Sequence, residues 1–258
     1  MNYSFQAQMD RAVELVKQQR LTEARDLYEH LCNACPNDVQ TWFRFGAVNG
    51  MLGDLDAVVR CSRRAVELDP LMSGAWKNLG NALERQNLPD AALRCYWAMA
   101  QSMAEAKMRP ESLYALARLL ALPIKLPDEQ LAQVYFNRGT LYAQEEMHLS
   151  ASEDFRKAVA LQPGNPEHHY RLAEMLVVLS SFHDAYDVYR HLIELRPGDS
   201  ESIARMSEAC ERIHRLDEAE KYAERAQDLD PDSVTATVTL EVNPGNGTVT
   251  FNENLTGQ

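Results

Sequence analysis

One pair of cysteines has a spacing that could support chemistry. Cys32 and Cys35 enclose two residues, and on a helix this spacing places both sulfurs on one side, where they could bind a metal ion or form a redox pair. No second pair with matching spacing follows, and no strand–helix pattern surrounds the first. We therefore interpret the pair as small apolar residues near a helix end. The five cysteines are scattered and odd in number, which predicts reduced thiols.

Histidines and carboxylates are of the residue types that bind metal ions or act as acid–base groups. His168 and His169 are adjacent, whereas His148, His183 and His214 fall near predicted turns that would lie along a ridge. Several histidines must converge on one point to bind a metal ion, and side chains spread along a ridge do not. We therefore predict that these histidines are solvated or packed against neighbouring side chains. Carboxylates lie on helix surfaces beside basic neighbours, and phosphate-binding and nucleophile-elbow motifs are absent from the sequence. The sequence predicts no catalytic residues, no metal, no cofactor and no enzymatic activity.

The net charge and the hydropathy of the chain limit the kinds of partner and location that we expect. The chain has 26 basic and 38 acidic residues, which gives a net charge of −12. This acidity argues against binding to nucleic acid or to an anionic membrane, because both need surplus Lys and Arg. No apolar stretch reaches the length of a membrane span, and the first ten residues do not resemble a secretory signal. We expect a cytoplasmic location.

An internal repeat is the main signal of the sequence. Pro36 and Pro70 are 34 residues apart, and the same interval separates Pro163, Pro197 and Pro231. A sixth copy lacks the final proline but keeps the interior pattern. The repeats span residues 5–38, 39–72, 73–106, 132–165, 166–199 and 200–233.

Recurring columns within each repeat predict two amphipathic helices. Column 8, counted from the first residue of a repeat, is small, as in Gly46 and Gly80, and column 20 is small or short. Small residues at these columns let the two helix axes approach closely. Large residues at columns 4 and 24 fill the gaps, and the proline ends the second helix. One repeat cannot bury its apolar face alone, so neighbouring repeats must stack.

The period and columns resemble the tetratricopeptide repeat family, most clearly from Trp42 to Pro70. The resemblance implies an all-α fold, a right-handed α-solenoid of stacked helix-turn-helix repeats with a concave groove. It covers most of the chain.

Residues 107–131 are too short for a repeat. Pro110 and Glu111 predict a helix start, and Pro123 and Pro127 predict its end, so one helix plus a loop replaces a helix pair. The segment is either a degenerate repeat or a hinge between two halves. The predicted organisation is three repeats in 5–106, the short segment 107–131, three repeats in 132–233 and a tail at 234–258.

The sequence pattern of the tail at 234–258 differs from that of the helical repeats. Residues 237–242 and 248–251 alternate like strands around a turn at 243–247, which predicts a C-terminal β-hairpin. Two strands alone are marginally stable, so the hairpin would lie on the solenoid, pair with another chain or be a stub. Oligomerisation through this end is one expectation.

The resemblance also implies where a partner would bind. First helices of the repeats line the groove, and carrying the family's columns over gives aromatic, cationic and amide side chains. The candidate peptide-binding residues are Phe43, Arg44, Lys77, Asn78, Asn81, Phe136, Asn137, Tyr170, Arg171 and Arg205. Arginine binds carboxylates through two nitrogens, and asparagine can hydrogen-bond a peptide backbone. The competing interpretation is that these arginines pair with groove carboxylates such as Glu84, Glu174 and Glu208.

The family's carboxylate clamp, which holds acidic C-termini, fits poorly here. Lys77, Asn81, Asn137 and Arg171 match its pattern only if the short segment is skipped, and Glu167 stands where it needs a lysine.

The sequence thus predicts a non-catalytic scaffold or adaptor that binds a peptide segment of a partner protein, with acidic or C-terminal carboxylate groups as candidate chemistry. Two alternatives stay open. One is a substrate-recruiting module similar to the repeats that precede sulfotransferase or glycosyltransferase domains, without the catalytic domain. The other is a self-assembling structural protein.

Overall fold

Long helices and short turns alternate throughout the computed structural model, which describes residues 3–231. Within that range the chain forms thirteen helices and no strand, so the all-α prediction is confirmed there, while the predicted hairpin at 234–258 lies outside the described residues. None of these helices is both long enough and apolar enough to span a bilayer. The helices are α1 (Tyr3–Lys17), α2 (Leu21–Ala34), α3 (Val39–Leu52), α4 (Leu55–Leu68), α5 (Ser73–Arg85), α6 (Pro89–Glu105), α7 (Arg109–Leu120), α8 (Asp128–Gln144), α9 (His148–Leu161), α10 (Pro166–Val178), α11 (Phe182–Leu195), α12 (Ser200–Arg212) and α13 (Leu216–Leu229).

The chain divides into two compact units, Met1–Glu145 and Glu146–Gln258. We call them the first and second unit. Helices α1 to α8 pack in succession in the first unit, and α9 to α13 do so in the second. The boundary falls in the turn between α8 and α9, and the segment 107–131 lies within the first unit.

The turn inside each repeat has one recurring geometry. A residue in the left-handed region ends the first helix: Gly53 has φ of 82°, and Gln19, Asn87, Lys107, Glu146, Ser180 and His214 have φ between 56° and 63°. At six of these seven turns the N–H of the following residue bonds a carbonyl five positions earlier, as Arg20 does to Leu15 at 2.9 Å. Each non-glycine residue there costs about 1 kcal/mol or more. The hydrogen bond offsets this cost by satisfying a carbonyl at the helix end.

At three of the turns between repeats, a ring at column 4 holds the proline carbonyl. The indole Nε1 of Trp42 donates to the carbonyl of Pro36 at 2.9 Å, and that of Trp76 to Pro70 at 2.8 Å. In the second unit His169 takes this place, with Nε2 2.7 Å from the carbonyl of Pro163. The proline ends one helix, and the column 4 ring holds the turn against the next.

Small residues bring the paired helices together, as the column pattern predicted. A Cβ placed on Gly46 would lie 3.3 Å from the Cβ of Cys61, and one on Gly80 would lie 2.5 Å from ring atoms of Tyr96. The large residues at column 24 are fully buried at 0–1% exposure; they are Tyr28, Tyr96, Phe155 and Tyr189.

The short segment reuses α6 as the first helix of a second hairpin. Lys107 has φ of 60°, and the N–H of Met108 bonds the carbonyl of Met103 at 2.8 Å, which is the turn found inside repeats. In a full repeat, column 20 lies five residues after the left-handed turn residue, and Ser112 lies at the same distance from Lys107. The Oγ of Ser112 donates to the carbonyl of Ala100 at 2.8 Å. Helix α6 is 17 residues long, long enough to pack against both α5 and α7.

Candidate functional site

The predicted groove residues of the first unit lie on α3, α5 and α8. Phe43 is half-buried, because a Cβ placed on Gly74 of α5 would meet its ring at 3.0 Å, so part of this ring belongs to helix packing. Arg44 is exposed and lies beside the Tyr28 hydroxyl, where it lowers the tyrosine pKa while burial, the larger effect, raises it. Asn78 is half-buried and Asn81 is exposed.

A polar cluster joins α5, α6 and α7. The Nη2 of Arg118 lies 2.6 Å from both carboxylate oxygens of Glu84. The hydroxyl of Tyr96 donates to Glu84 Oε1 at 2.6 Å and lies 3.2 Å from Asn81 Oδ1. Burial and the Glu84 contact raise the pKa of Tyr96, and hydrogen bonding to Glu84 raises the pKa of Arg118. The half-exposed pair thus holds Arg118 in one position on the α5–α7 surface.

Lys77 adds a second cation to this surface. Its Nζ lies 4.8 Å from the ring centroid of Tyr114, and this ring meets Tyr96 edge-on at 6.5 Å. Within residues 3–231, Lys77 forms no ion pair, and the Nε of Arg118 is buried without a hydrogen-bond partner. Arg118 is thus paired with Glu84, whereas Lys77 lies against the Tyr114 ring. We call the surface formed by Lys77, Asn81, Glu84, Tyr96, Tyr114 and Arg118 the α5–α7 surface.

The corresponding arginines of the second unit are paired within their own helices. Arg171 contacts Glu167 and Glu174, both at 3.0 Å, and Arg205 contacts Glu208 at 3.2 Å. This is the pairing that the competing interpretation of the sequence expected.

Tyr170 also faces a carboxylate. Its hydroxyl donates to Glu201 at 2.7 Å, and burial together with this contact raises its pKa. Four glutamates contact Arg171, Arg205 and Tyr170 in the second unit, so carboxylates outnumber cations among these contacts. The predicted groove residues of this unit therefore lie in acidic surroundings, like the chain as a whole.

A cleft opens between α6, α7 and α8 in the first unit. Its volume is about 370 Å³, and it contains the two remaining groove residues of this unit, Phe136 and Asn137. The loop at 121–127 separates α7 from α8, and these helices pack more sparsely than other consecutive helices of the first unit. The cleft is thus a direct result of the short segment.

Tyr114 and Arg118 were missed by the sequence analysis, although a signal for Arg118 existed. It stands 34 residues after Glu84, one full period. It escaped notice because 107–131 was too short to be assigned columns.

The cysteines have no surroundings that would activate them. Cys32, Cys61, Cys95 and Cys210 are buried, Cys35 is half-buried, and all five are free. Burial raises the pKa of the Cys32 thiol to about 12, far above that of a reactive thiolate. Among the described residues, no three His, Cys, Asp or Glu side chains are placed to hold a metal ion.

Comparison with known proteins agrees with the repeat pattern. The family described as tetratricopeptide repeat matches residues 132–165 and 200–233. These ranges are two of the six repeats that the sequence period assigns.

Several solved structures are similar to the chain. YrrB, described as a TPR protein with an unusual peptide-binding site, has 15% identity over 80% of this chain and 93% of its own, with a TM-score of 0.42. MamA has 19% identity over 72% of this chain and 94% of its own, with a TM-score of 0.41. The first TPR of Spaghetti (RPAP3), bound to the HSP90 peptide SRMEEVD, has 24% identity over 41% of this chain and 84% of its own, with a TM-score of 0.39.

Proposed function

We propose that this protein is a non-catalytic interaction scaffold that binds an extended peptide of a partner protein, and that the α5–α7 surface holds an acidic group of that peptide. The observation that carries the proposal is the pair of cations, Lys77 and Arg118, on one surface of a chain whose net charge is −12. An anion bound there would gain charge-assisted hydrogen bonds from both groups.

The surface is held in place before a ligand arrives. Glu84 and Tyr96 fix Arg118, while Tyr114 fixes the direction of Lys77. Little side-chain entropy remains to be lost on binding, so the cations can contribute more of their interaction energy to affinity. Asn81 is exposed beside them and offers an amide for the peptide backbone.

Selection from a random heptapeptide library tests this function. The full chain is immobilised, and retained peptides are identified by mass spectrometry. We expect enrichment of Asp, Glu or a free terminal carboxylate, and loss of that enrichment in Lys77→Gln. The control Lys125→Gln removes a lysine from the exposed part of the 121–127 loop and should behave as wild type. Retention of no peptide, or of peptides without acidic preference, would contradict the proposal.

Self-association is a second candidate function, favoured by the surface of α13. Only Ala219 and Ala226 are buried in this helix, whereas Leu216 is 64% and Leu229 46% exposed. A second copy could cover these leucines. Light scattering of the full chain should then show an oligomer that Leu216→Asp with Leu229→Asp converts to monomer, and a monomeric wild type would exclude it.

A further inference from the structure

The cleft between α6, α7 and α8 has a buried base, half-buried walls and an exposed rim. Ala100, Ser112 and Leu116 form the base with 5% exposure or less. Trp97 and Phe136 are half-buried and form part of the walls. A volume of about 370 Å³ lies within the range of small ligand sites and would hold about a dozen water molecules.

Hydroxyl groups inside the cleft are already engaged. Ser112 Oγ donates to the carbonyl of Ala100, and Thr140 Oγ1 donates to the carbonyl of Phe136 at 2.9 Å. Neither proton is directed at a ligand, so the interior presents mainly carbon surface. Water molecules in such a site find few hydrogen-bond partners, so their displacement by an apolar group is favourable.

The polar part of the lining is uncharged amide. Gln133 donates to the Oδ1 of Asn137 at 2.7 Å, which fixes the amide and leaves its two N–H donors available. Gln101 and Gln144 stand at the exposed rim. Glu105, also exposed, is the one ionisable side chain among the described residues that line the cleft. The lining therefore suits a neutral apolar group attached to a peptide backbone and opposes an anion.

We infer that this cleft is an anchor pocket for one uncharged aromatic or long aliphatic side chain of the bound peptide. The inference rests on the proposed function, since it takes the occupant to be a peptide. It adds a second, apolar determinant to the acidic one at the α5–α7 surface. The neutral lining and the continuity of the cleft with groove residues Phe136 and Asn137 favour this occupant over an acidic segment.

A direct test uses a small neutral probe, N-acetyl-4-fluorophenylalaninamide, titrated into the full chain and followed by ¹⁹F NMR. Ala104→Trp adds bulk at the exposed rim without removing a packed group. It should weaken probe binding at least about tenfold, in the range that apolar pockets show for one well-packed group. The matched control is Ala7→Trp, at an exposed position of α1 outside the cleft, and it should leave the affinity unchanged. N-acetylglutamic acid amide should bind less well than the neutral probe.

The peptide library separates this inference from the function on which it rests. Wild-type selection should enrich one apolar position besides the acidic one, and Ala104→Trp should lose only the apolar preference. Acidic enrichment with no apolar position, or equal probe binding by both Trp variants, overturns the pocket while the proposed function stands. Failure to retain any peptide overturns both. A change of oligomeric state in Ala104→Trp would identify a second copy as the occupant and overturn the inference.

Discussion

Replacement of Gly80 by alanine tests the tightest helix contact of the first unit. The new methyl group would lie 2.5 Å from ring carbons of Tyr96 and 2.8 Å from its hydroxyl oxygen. Carbon atoms cannot approach so closely, and the ring is fully buried, so Tyr96 must move. Its movement would also break the hydrogen bond to Glu84.

The expected loss follows from three contributions. Overpacking costs about 1–3 kcal/mol. Loss of a hydrogen bond to a charged group costs roughly 1.5–3 kcal/mol. The gain in helix propensity from Gly to Ala returns about 1 kcal/mol. We expect Gly80→Ala to lower the free energy of unfolding by about 3 kcal/mol, which corresponds to a fall in melting temperature of roughly 6–12 °C.

Gly46→Ala is the matched control, because Gly46 occupies the same column of the preceding repeat. Its methyl group would meet Cys61 Cβ at 3.3 Å and Ser62 Oγ at 3.4 Å, distances that a shift of a few tenths of an ångström relieves. The helix-propensity gain should nearly cancel this strain, so stability should stay within about 1 kcal/mol of wild type.

Tryptophan fluorescence during thermal unfolding is the suitable assay. Trp42, Trp76 and Trp97 are the three tryptophans of the sequence, and all lie in the first unit. The signal therefore reports on the unit that carries both substitutions. Equal melting temperatures for Gly80→Ala and Gly46→Ala would refute the argument that ring contact at column 8 controls the stability of this repeat.

Three further predictions concern turns, titration and thiols. Trp42→Phe removes the 2.9 Å hydrogen bond to Pro36 and should lower the free energy of unfolding by about 1 kcal/mol, measured by urea denaturation, with no effect if the turn is held by packing alone. Burial lowers the pKa of His168 and of His169 below the ordinary 6.5, and the unfolded chain therefore binds more protons below about pH 6.5. The melting temperature of the second unit, followed by circular dichroism, should be constant above this pH and fall as pH decreases toward the lowered values, and a flat profile would contradict the burial of neutral rings. Ellman's reagent at pH 8 should label Cys35 first, because burial raises the pKa of the other four thiols to between about 11 and about 12, and uniform labelling of folded protein would be the contrary result.

Much of the repeat architecture could be predicted because packing constrains specific columns. Gly46 and Gly80 are small where helix axes approach, and Tyr28 and Tyr96 are large where gaps must be filled. These requirements repeat with the helix pairs, so they leave a period in the sequence. His169 was harder to recognise, because a histidine stands where Trp42 and Trp76 mark column 4, although it contacts the proline carbonyl in the same way.

The α5–α7 surface and the cleft could not be predicted in full, because both depend on how one helix departs from the period. Lys77 and Asn81 were found from their columns, but Arg118 required knowing that α7 packs beside α5. Whether a given arginine is paired is also a matter of side-chain geometry. The column pattern alone does not distinguish Arg171, which contacts two glutamates of its own helix, from Arg118, which is held between helices.

Hydrogen exchange with and without a peptide selected from the library tests the central claim most directly, because it locates the binding surface. The account predicts that the peptide slows exchange in α5 (Ser73–Arg85) and α7 (Arg109–Leu120), and that Lys77→Gln abolishes this protection. Protection confined to α10 (Pro166–Val178) and α12 (Ser200–Arg212), or unchanged by the substitution, would contradict it.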